Sequence, residues 1–268
     1  MEWKIGVIID SLKLGVRKGI EKAAEIGADG FQIYITEGEM APENMSRQDR
    51  QDFKRLVRSR NLEISALCGD LFKGFLNREA NPMVIARSKK FIDLAVDLET
   101  RIVTTHIGHL PDDEKSPAWE IGAEAVTELA RYAEGRGCVF ASETGPEEPA
   151  LLKRFLDRIP SKGMGVNYDP ANLIMGGPFD HIGGVYELKE YIVHTHAKDG
   201  VCLRKAARME DRKYAEVPLG EGGVVFPYYL RALREIGYKG FLTIEREVGA
   251  DPAADIIHAM HYLRALKV

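Results

Sequence analysis

Apolar residues recur along this chain at two different spacings, and the two spacings predict strands and helices in turn. Short runs rich in β-branched and other apolar residues are typical of buried strands. Between the runs, apolar residues recur three and four positions apart, as at Phe226, Tyr229, Leu230 and Leu233, which predicts amphipathic helices. The predicted strands are Lys4–Ile9, Gly30–Ile35, Glu63–Leu67, Arg101–His106, Val139–Glu143, Met164–Asp169, Ile192–His196 and Phe241–Glu245.

The regular alternation of strands and helices predicts a parallel sheet, because each helix returns the chain to the start of the next strand. Eight such units in 268 residues suit a closed (β/α)₈ TIM barrel, which we predict as a single domain over residues 1–268. The alternative is an open doubly wound sheet, which would carry a glycine-rich phosphate turn after an early strand. The first strand is followed instead by Asp10, Ser11 and Leu12, and this favours the barrel.

The amino-acid composition limits the kinds of molecule that this protein is expected to bind. A net charge of −4 and a pI of about 6.0 argue against a surface that binds nucleic acid. No apolar run reaches the roughly 18 residues of a membrane span, and the N-terminus lacks the basic start of a signal peptide. We therefore expect a cytoplasmic protein without a nucleic-acid or membrane partner, and a homo-oligomer is left open. Cys68, Cys138 and Cys202 form no CxxC pair, so no disulfide framework is expected.

Candidate chemistry is concentrated where the last four predicted strands end. A buried strand rarely carries an acidic side chain unless a partner compensates its charge. In a barrel the carboxyl ends of neighbouring strands meet on one face, so these side chains are expected to share one partner, a divalent cation. The four segments are SETGPE at 142–147, NYDPAN at 167–172, HTHAKD at 194–199 and TIERE at 243–247.

Strand parity selects ligand candidates within these segments, because residues two apart point to the same face. In the sixth and seventh strands the better ligand is the residue nearer the mouth of the barrel, whereas parity cannot choose within the last strand. Three carboxylates and one imidazole suit Mn²⁺, Mg²⁺ or Co²⁺, and Zn²⁺ is an acceptable alternative. The candidates are Glu143, Asp169, His196 and either Glu245 or Glu247.

Such a site has the parts needed for chemistry beside a carbonyl group. A divalent cation polarises the carbonyl and stabilises an enediolate as a Lewis acid. Two glutamates on opposite sides of a bound substrate can exchange protons with its carbon and oxygen atoms. His106, at the end of the fourth strand, either touches the substrate or only lines the pocket. Lys198 either contacts an anionic oxygen or is solvated, and His194 is expected to be structural or to support a ligand.

At these residues the chain resembles the sugar phosphate isomerase/epimerase proteins of the xylose-isomerase-like TIM-barrel superfamily. The resemblance covers most of the chain and is densest over 219–245, where LGEGG is followed by VF, AL, IGYKGF and IE. HTHAKD resembles the family's H-x-K-D signature, whose histidine is the metal ligand. The resemblance implies the ligand set Glu143, Asp169, His196 and Glu245.

The same resemblance implies an activity. The residues that match Glu143 and Glu245 act as an acid/base pair in this family. One removes a proton beside the carbonyl, and the other returns it to the opposite face or to the adjacent carbon. The implied enzyme is an aldose–ketose isomerase or a keto-sugar epimerase whose substrate is a small carbohydrate, phosphorylated or not.

Two positions depart from the ketose 3-epimerases of this group. Asn172 stands three residues after Asp169, where those enzymes carry a histidine. Cys202 stands where they carry a substrate-binding arginine, and Arg204 lies two residues further on. We therefore expect Asn172 and Arg204 to bind substrate in a different pattern, and the sugar is not identified.

Three other functions use the same residues. A metal-dependent dehydratase of an inositol-like ketone starts with the same proton abstraction and needs an acid to expel hydroxide, which His106 or Glu147 could supply. A hydrolase resembling apurinic endonucleases needs further histidines, and the acidic balance of this chain disfavours it. A non-catalytic sugar-binding barrel would keep the pocket but need not retain both Glu143 and Glu245, whose presence favours catalysis.

Overall fold

A closed barrel of parallel strands forms the centre of the protein. The computed structural model describes residues 3–145, 147–177, 179–204, 211 and 213–266. Eight strands close the barrel in the order β1, β10, β7, β6, β5, β4, β3, β2, which confirms the predicted (β/α)₈ fold. The barrel strands are β1 (Lys4–Ile8), β2 (Gly30–Tyr34), β3 (Glu63–Cys68), β4 (Ile102–Thr105), β5 (Val139–Glu143), β6 (Met164–Tyr168), β7 (Ile192–Ala197) and β10 (Phe241–Ile244).

Helices cover the outside of the barrel. Several of them carry proline at their first or second position, where the missing N–H would have no partner within the helix. The apolar stripe predicted for the helix before β10 is buried at Phe226, Tyr229, Leu230 and Leu233. Burial of such apolar area contributes most of the stability of the fold. The helices are α1 (Val16–Glu25), α2 (Arg47–Ser59), α3 (Asn81–Asp97), α4 (Pro117–Glu134), α5 (Pro149–Leu156), α6 (Pro170–Gly176), α7 (Gly183–Glu187), α8 (Phe226–Glu235) and α9 (Pro252–Ala265).

One element was absent from the sequence prediction. Strands β8 (Asp199–Arg204) and β9 (Lys213–Val217) pair antiparallel and form a hairpin outside the barrel, between β7 and α8. The sequence predicted only a loop here, because both strands are short and carry polar residues on both faces. The hairpin leaves β7 paired directly with β10, so β5, β6, β7 and β10 are successive neighbours around one side of the barrel.

Five of the predicted strands end one residue too far along the chain, and in two of them that residue is an acidic ligand candidate. β6 ends at Tyr168, and Asp169 is already the N-cap of α6. β10 ends at Ile244, so Glu245 is the first residue beyond the strand. Both acidic residues therefore lie in the short connections at the mouth of the barrel. None of the helices in the described part of the chain combines the length and the apolar character that a membrane span requires.

Candidate metal centre and active site

The four ligand candidates come together at the carboxyl-terminal mouth of the barrel. Glu143, Asp169, His196 and Glu245 are all buried, and one ligand atom of each lies within 4.8 Å of the ligand atoms of the others. His196 Nδ1 lies 3.0 Å from Glu245 Oε2, 3.6 Å from Glu143 Oε1 and 3.7 Å from Asp169 Oδ2. Four atoms so arranged could share one cation.

Two of these oxygen atoms lack hydrogen-bond partners, which tests whether a cation fits. Asp169 Oδ1 accepts hydrogen bonds from the N–H groups of Ala171 (2.8 Å) and Asn172 (3.1 Å) and so caps α6, whereas its Oδ2 atom is buried without a hydrogen bond. Glu245 Oε2 is likewise buried without a hydrogen bond, although His196 Nδ1 (3.0 Å) and Lys198 Nζ (3.2 Å) lie close to it. Buried unpaired carboxylate oxygens are costly. A divalent cation with a preference for oxygen ligands would satisfy both of them.

The imidazole of His196 is oriented by a residue on the opposite side of the barrel. Gln32 Oε1 on β2 accepts a hydrogen bond of 3.0 Å from His196 Nε2. Gln32 Nε2 in turn donates to Thr104 Oγ1 at 3.2 Å. With the proton held on Nε2, the Nδ1 lone pair faces the carboxylates, as a metal-ligating histidine requires.

A second layer of polar side chains lies beneath the ligands. Asn167 Nδ2 donates to Glu143 Oε2 at 3.0 Å, and Asn167 Oδ1 is 2.9 Å from His194 Nδ1. His194 Nε2 is 2.9 Å from Thr243 Oγ1. Burial lowers the pKa of His194 well below its usual value, so the ring is neutral. His194 therefore supports a ligand from below, in the role expected from its parity with His196.

The electrostatics of the cluster favour an added positive charge. Burial opposes ionisation of Glu245, but Lys198 and His196 outweigh it and hold its pKa far below the usual range. The pKa of Glu143 is lowered as well. Burial opposes this shift, and among the neighbouring groups His196 contributes most to it. Burial dominates at Asp169 and raises its pKa. The pKa of His196 is raised well above its usual value, against burial, by Glu245 and Glu143. A proton on this ring balances the carboxylates, and a metal ion would take its place.

A cleft leads from solvent to the cluster. A chamber of about 120 Å³ lies directly above Glu143 and Glu245, and it adjoins a cleft of about 540 Å³ at the surface. Three of the predicted substrate contacts line both spaces. The described residues common to both are His106, Asn172, Lys198 and Glu247.

Lys198 is buried, contrary to the solvated alternative. Its Nζ atom lies 2.6 Å from Glu247 Oε2, 3.2 Å from Glu245 Oε2 and 3.7 Å from Glu216 Oε2. Burial disfavours the ammonium charge, but the carboxylates of Glu245, Asp169 and Glu247, with Glu245 foremost, raise the pKa of Lys198 well above its usual value. A fixed cation therefore stands beside one of the two glutamates of the cluster.

His106 and Asn172 contact the other glutamate. His106 Nδ1 is 2.5 Å from Asp70 Oδ2, and its Nε2 atom lies 3.7 Å from Glu143 Oε1. Burial disfavours a protonated ring, but Glu143 and Asp70 outweigh it and raise the pKa of His106 to about 9. Asn172 Nδ2 donates to Glu143 Oε1 at 2.8 Å. Both side chains thus orient Glu143 as well as line the cleft.

The structure does not bring the two remaining candidates to the cleft. Glu147 is buried with an unpartnered Oε2 atom, and burial raises its pKa to about 7. Arg204 is exposed on the hairpin and donates to the backbone oxygen of Asp211. Neither residue is among the described residues that line the cleft or the chamber.

Several residues of the site were missed by sequence reasoning. Gln32 is a polar residue in the middle of an otherwise apolar strand, a signal that could have been used. Asp70 follows a strand end just as the ligand candidates do, and the family resemblance favours Glu245 over Glu247. Glu216 carried no usable signal, because the hairpin that presents it was not predicted.

Similar folds occur among known proteins. A xylose isomerase domain protein from Planctomyces limnophilus is 26% identical with a TM-score of 0.84, and the match covers 98% of this chain and 95% of that one. A D-tagatose 3-epimerase-like protein is 22% identical with a TM-score of 0.76, and the match covers 97% of each chain. A probable 3-DHS dehydratase from Bacillus anthracis is 16% identical with a TM-score of 0.77, covering 97% of this chain and 98% of that one. The two matches below 25% identity show the fold alone.

A family model matches most of the chain. The model described as a xylose isomerase-like TIM barrel matches residues 20–266, which include all four members of the buried cluster and the strands that present them. This chain therefore belongs to the xylose isomerase-like TIM-barrel family.

Proposed function

We propose that this protein is a divalent-metal-dependent isomerase or epimerase of small keto-carbohydrates. The observation that carries the proposal is the buried cluster of Glu143, Asp169, His196 and Glu245, in which two carboxylate oxygens accept no hydrogen bond beneath a polar cleft. The oxygen-rich donor set favours Mn²⁺, Mg²⁺ or Co²⁺ over softer metals. The fold shared with an epimerase-like protein is consistent with this activity.

The two glutamates are placed to move a proton. When bound, a divalent cation supplies Lewis-acid stabilisation of the negative charge that develops beside a carbonyl. Lys198 keeps Glu245 ionised, so Glu245 can accept a proton from the carbon next to the carbonyl group. Glu143 comes from β5, three strands away from β10 around the barrel. A proton that Glu143 takes up from the protonated His106, whose Nε2 atom lies 3.7 Å from Glu143 Oε1, can be returned to the substrate from a different side. Return to the opposite face gives an epimer, and return to the neighbouring carbon gives an isomer.

The side chains at the junction of cleft and chamber are suited to hydroxyl groups. Lys198 and the protonated His106 donate hydrogen bonds, whereas Glu247 and the Oδ1 atom of Asn172 accept them. A polyhydroxylated molecule that entered the cleft would find both kinds of partner around the atoms that react. We therefore propose a small carbohydrate as the partner of this site.

Hydrogen exchange tests the proposal most directly. The metal-free protein is reloaded with Mn²⁺, Mg²⁺ or Co²⁺ and incubated with a panel of ketoses in D₂O. We expect deuterium at the carbon beside the carbonyl, together with formation of an isomer or epimer. Failure of every ketose to exchange in the presence of each metal would contradict the proposal.

Matched variants assign the acid and base. Glu143→Gln and Glu245→Gln should each lower the exchange rate by about 10²–10⁴-fold, because a positioned proton-transfer group contributes that much. Glu148→Gln, an exposed glutamate in the loop after β5, serves as the control and should exchange normally. Wild-type rates in either cluster variant would refute the assignment of the two glutamates.

A dehydratase of a polyhydroxylated ketone is the second candidate. It is favoured by His106, whose Nε2 atom lies 3.7 Å from Glu143 and whose side chain borders the cleft, where it could protonate a departing hydroxyl group. The same D₂O experiment separates the two functions. Loss of water from the substrate, detected by mass spectrometry, would identify the dehydratase.

A further inference from the structure

The hairpin β8–β9 forms one wall of the cleft. Tyr214, Ala215 and Glu216, all on β9, line it. Residues two apart on a strand share a face, so Tyr214 and Glu216 point to the same side of the hairpin. The hairpin is an addition to the barrel, and the wall it forms is therefore separate from the strands that carry the metal ligands.

Glu216 fastens this wall to the barrel. Its Oε1 atom accepts hydrogen bonds from Arg246 Nη1 at 2.8 Å and from the N–H of Glu247 at 3.0 Å. Its Oε2 atom lies 3.7 Å from Lys198 Nζ, and only 6% of the side chain is exposed. Charge-assisted hydrogen bonds of this kind fix geometry as well as add stability. The position of β9 is thus tied to the connections that follow β7 and β10.

Tyr214 presents an open aromatic surface to the same space. It lines the cleft although 56% of its surface remains exposed, and it is not among the described residues that line the inner chamber. Met175 and Val248 add apolar surface to the cleft, while Lys198 and Glu247 border it with charge. A carbohydrate has C–H faces and hydroxyl edges, and such a surface offers a partner for each.

We propose that Tyr214 is a specificity-determining residue whose ring packs on the C–H face of the substrate's outer part, and that Glu216 is the positioning residue that holds it there. This inference rests on the proposed function. It assigns the substrate to keto-sugars whose carbon skeleton extends beyond the reacting carbons, of hexose size or larger. Contacts with such remote parts add binding energy that a three-carbon ketose cannot use.

Binding to the Mn²⁺-loaded protein tests this directly, with D-fructose as the long ketose and dihydroxyacetone as the short one. Tyr214→Ala should weaken D-fructose binding by about tenfold, the scale of one aromatic packing contact, and leave dihydroxyacetone binding unchanged. Tyr214→Phe should bind D-fructose like the wild type, because the ring is retained. The control is Tyr228→Ala on α8, a tyrosine that is also 56% exposed but lies outside the cleft lining.

A double-mutant cycle tests the role of Glu216. Glu216→Gln should weaken D-fructose binding in the wild-type background and have a smaller effect when combined with Tyr214→Ala, since it acts through that ring. Additive effects would overturn the positioning role. Unchanged D-fructose binding by Tyr214→Ala, with normal wild-type binding, overturns this inference alone. A wild-type protein that binds neither ketose overturns the proposed function as well.

Discussion

Asp169 uses its two oxygens for different purposes. One oxygen caps α6 through two backbone N–H groups, and the other faces the cluster without a hydrogen bond. The cap fixes the orientation of the carboxylate, so the second oxygen is held towards the centre of the cluster by the same bonds that start the helix. A single residue thereby couples the local fold to ligand geometry.

Gln32 is expected to control metal affinity from the layer behind the ligands. Gln32→Met keeps a side chain of similar length but leaves the Nε2 hydrogen of His196 without its acceptor. Loss of such a partner typically weakens metal affinity by about 10–100-fold. Isothermal titration with Mn²⁺ measures the change, and Gln51→Met, at an exposed position of α2, provides the control. Equal affinities for the two variants would show that Gln32 does not orient the imidazole.

The buried carboxyl group of Glu147 predicts how the stability of the protein depends on pH. Burial raises its pKa to about 7 in the folded protein, so folding favours the protonated form. The wild type therefore loses stability as the pH rises from the pKa of this group in the unfolded chain towards 7. Glu147→Gln resembles the protonated side chain. It should match the wild type at low pH and be more stable above pH 7, by up to about 3 kcal/mol for a shift of this size.

Urea denaturation of the wild type and Glu147→Gln across this pH range measures that difference. Other titrating groups are shared by both proteins and cancel in the comparison. A stability difference that stays constant from acid to alkaline pH would contradict the expected ionisation of Glu147.

At the scale of elements, hydrogen bonds to Asp199 account for the backbone conformation of the LGEGG segment. Its carboxylate accepts hydrogen bonds from the N–H groups of Gly220 (3.0 Å), Gly222 (2.9 Å) and Val224 (3.0 Å). The segment therefore wraps around the first residue of β8. A Cβ atom on Gly222 would lie 2.7 Å from the backbone nitrogen of Gly200 and would collide with the Asp199 carboxylate.

Gly222→Ala should accordingly destabilise the protein. Crowding at a packed position typically costs about 1–3 kcal/mol of unfolding free energy, and here it also displaces the start of the hairpin. The control is Gly135→Ala at the end of α4, where φ is −62° and the added Cβ would make only an ordinary contact at 3.5 Å. Chemical denaturation of both variants provides the comparison, and equal stabilities would argue against a tightly packed turn.

Regular elements were predictable because their signals are local. The eight barrel strands could be predicted from apolar runs, and their ends were accurate to within one residue. The ligand candidates could be read because acidic residues at buried strand ends conflict with burial unless a partner is present. The hairpin could not be read, since β8 and β9 lack a continuous apolar face and owe their position to long-range contacts such as Glu216 with Arg246.

At the scale of the whole molecule, the cluster joins four neighbouring strands of the barrel. β5, β6, β7 and β10 each supply or directly precede one ligand, so a bound ion would link about half of the barrel circumference. An ion that binds only the folded state stabilises it by about 2.7 kcal/mol at a concentration one hundred times its dissociation constant. Removing metal should therefore lower the unfolding temperature of the entire barrel.

Asp169→Asn separates this effect from the fold itself. The asparagine oxygen can still cap α6, but the ligand charge is lost, and the raised pKa of Asp169 indicates that its charge is unfavourable without a cation. The variant should be at least as stable as the wild type in EDTA and should not be stabilised by Mn²⁺. Calorimetry with and without Mn²⁺ measures both effects, with Asp112→Asn as a surface control. A normal Mn²⁺-induced shift in Asp169→Asn would exclude it as a ligand.

The position of the hairpin outside the barrel has a consequence for how new activities arise in this scaffold. Since the strands that hold the cluster close on themselves without β8 and β9, hairpin residues other than Asp199 and Glu216 can change without altering the strands that present the four ligand candidates. Under the proposed function, reactivity and selectivity would thus be carried by separate modules. Grafting alternative hairpins between residues 199 and 217 would then redirect the same acid/base pair towards different sugars.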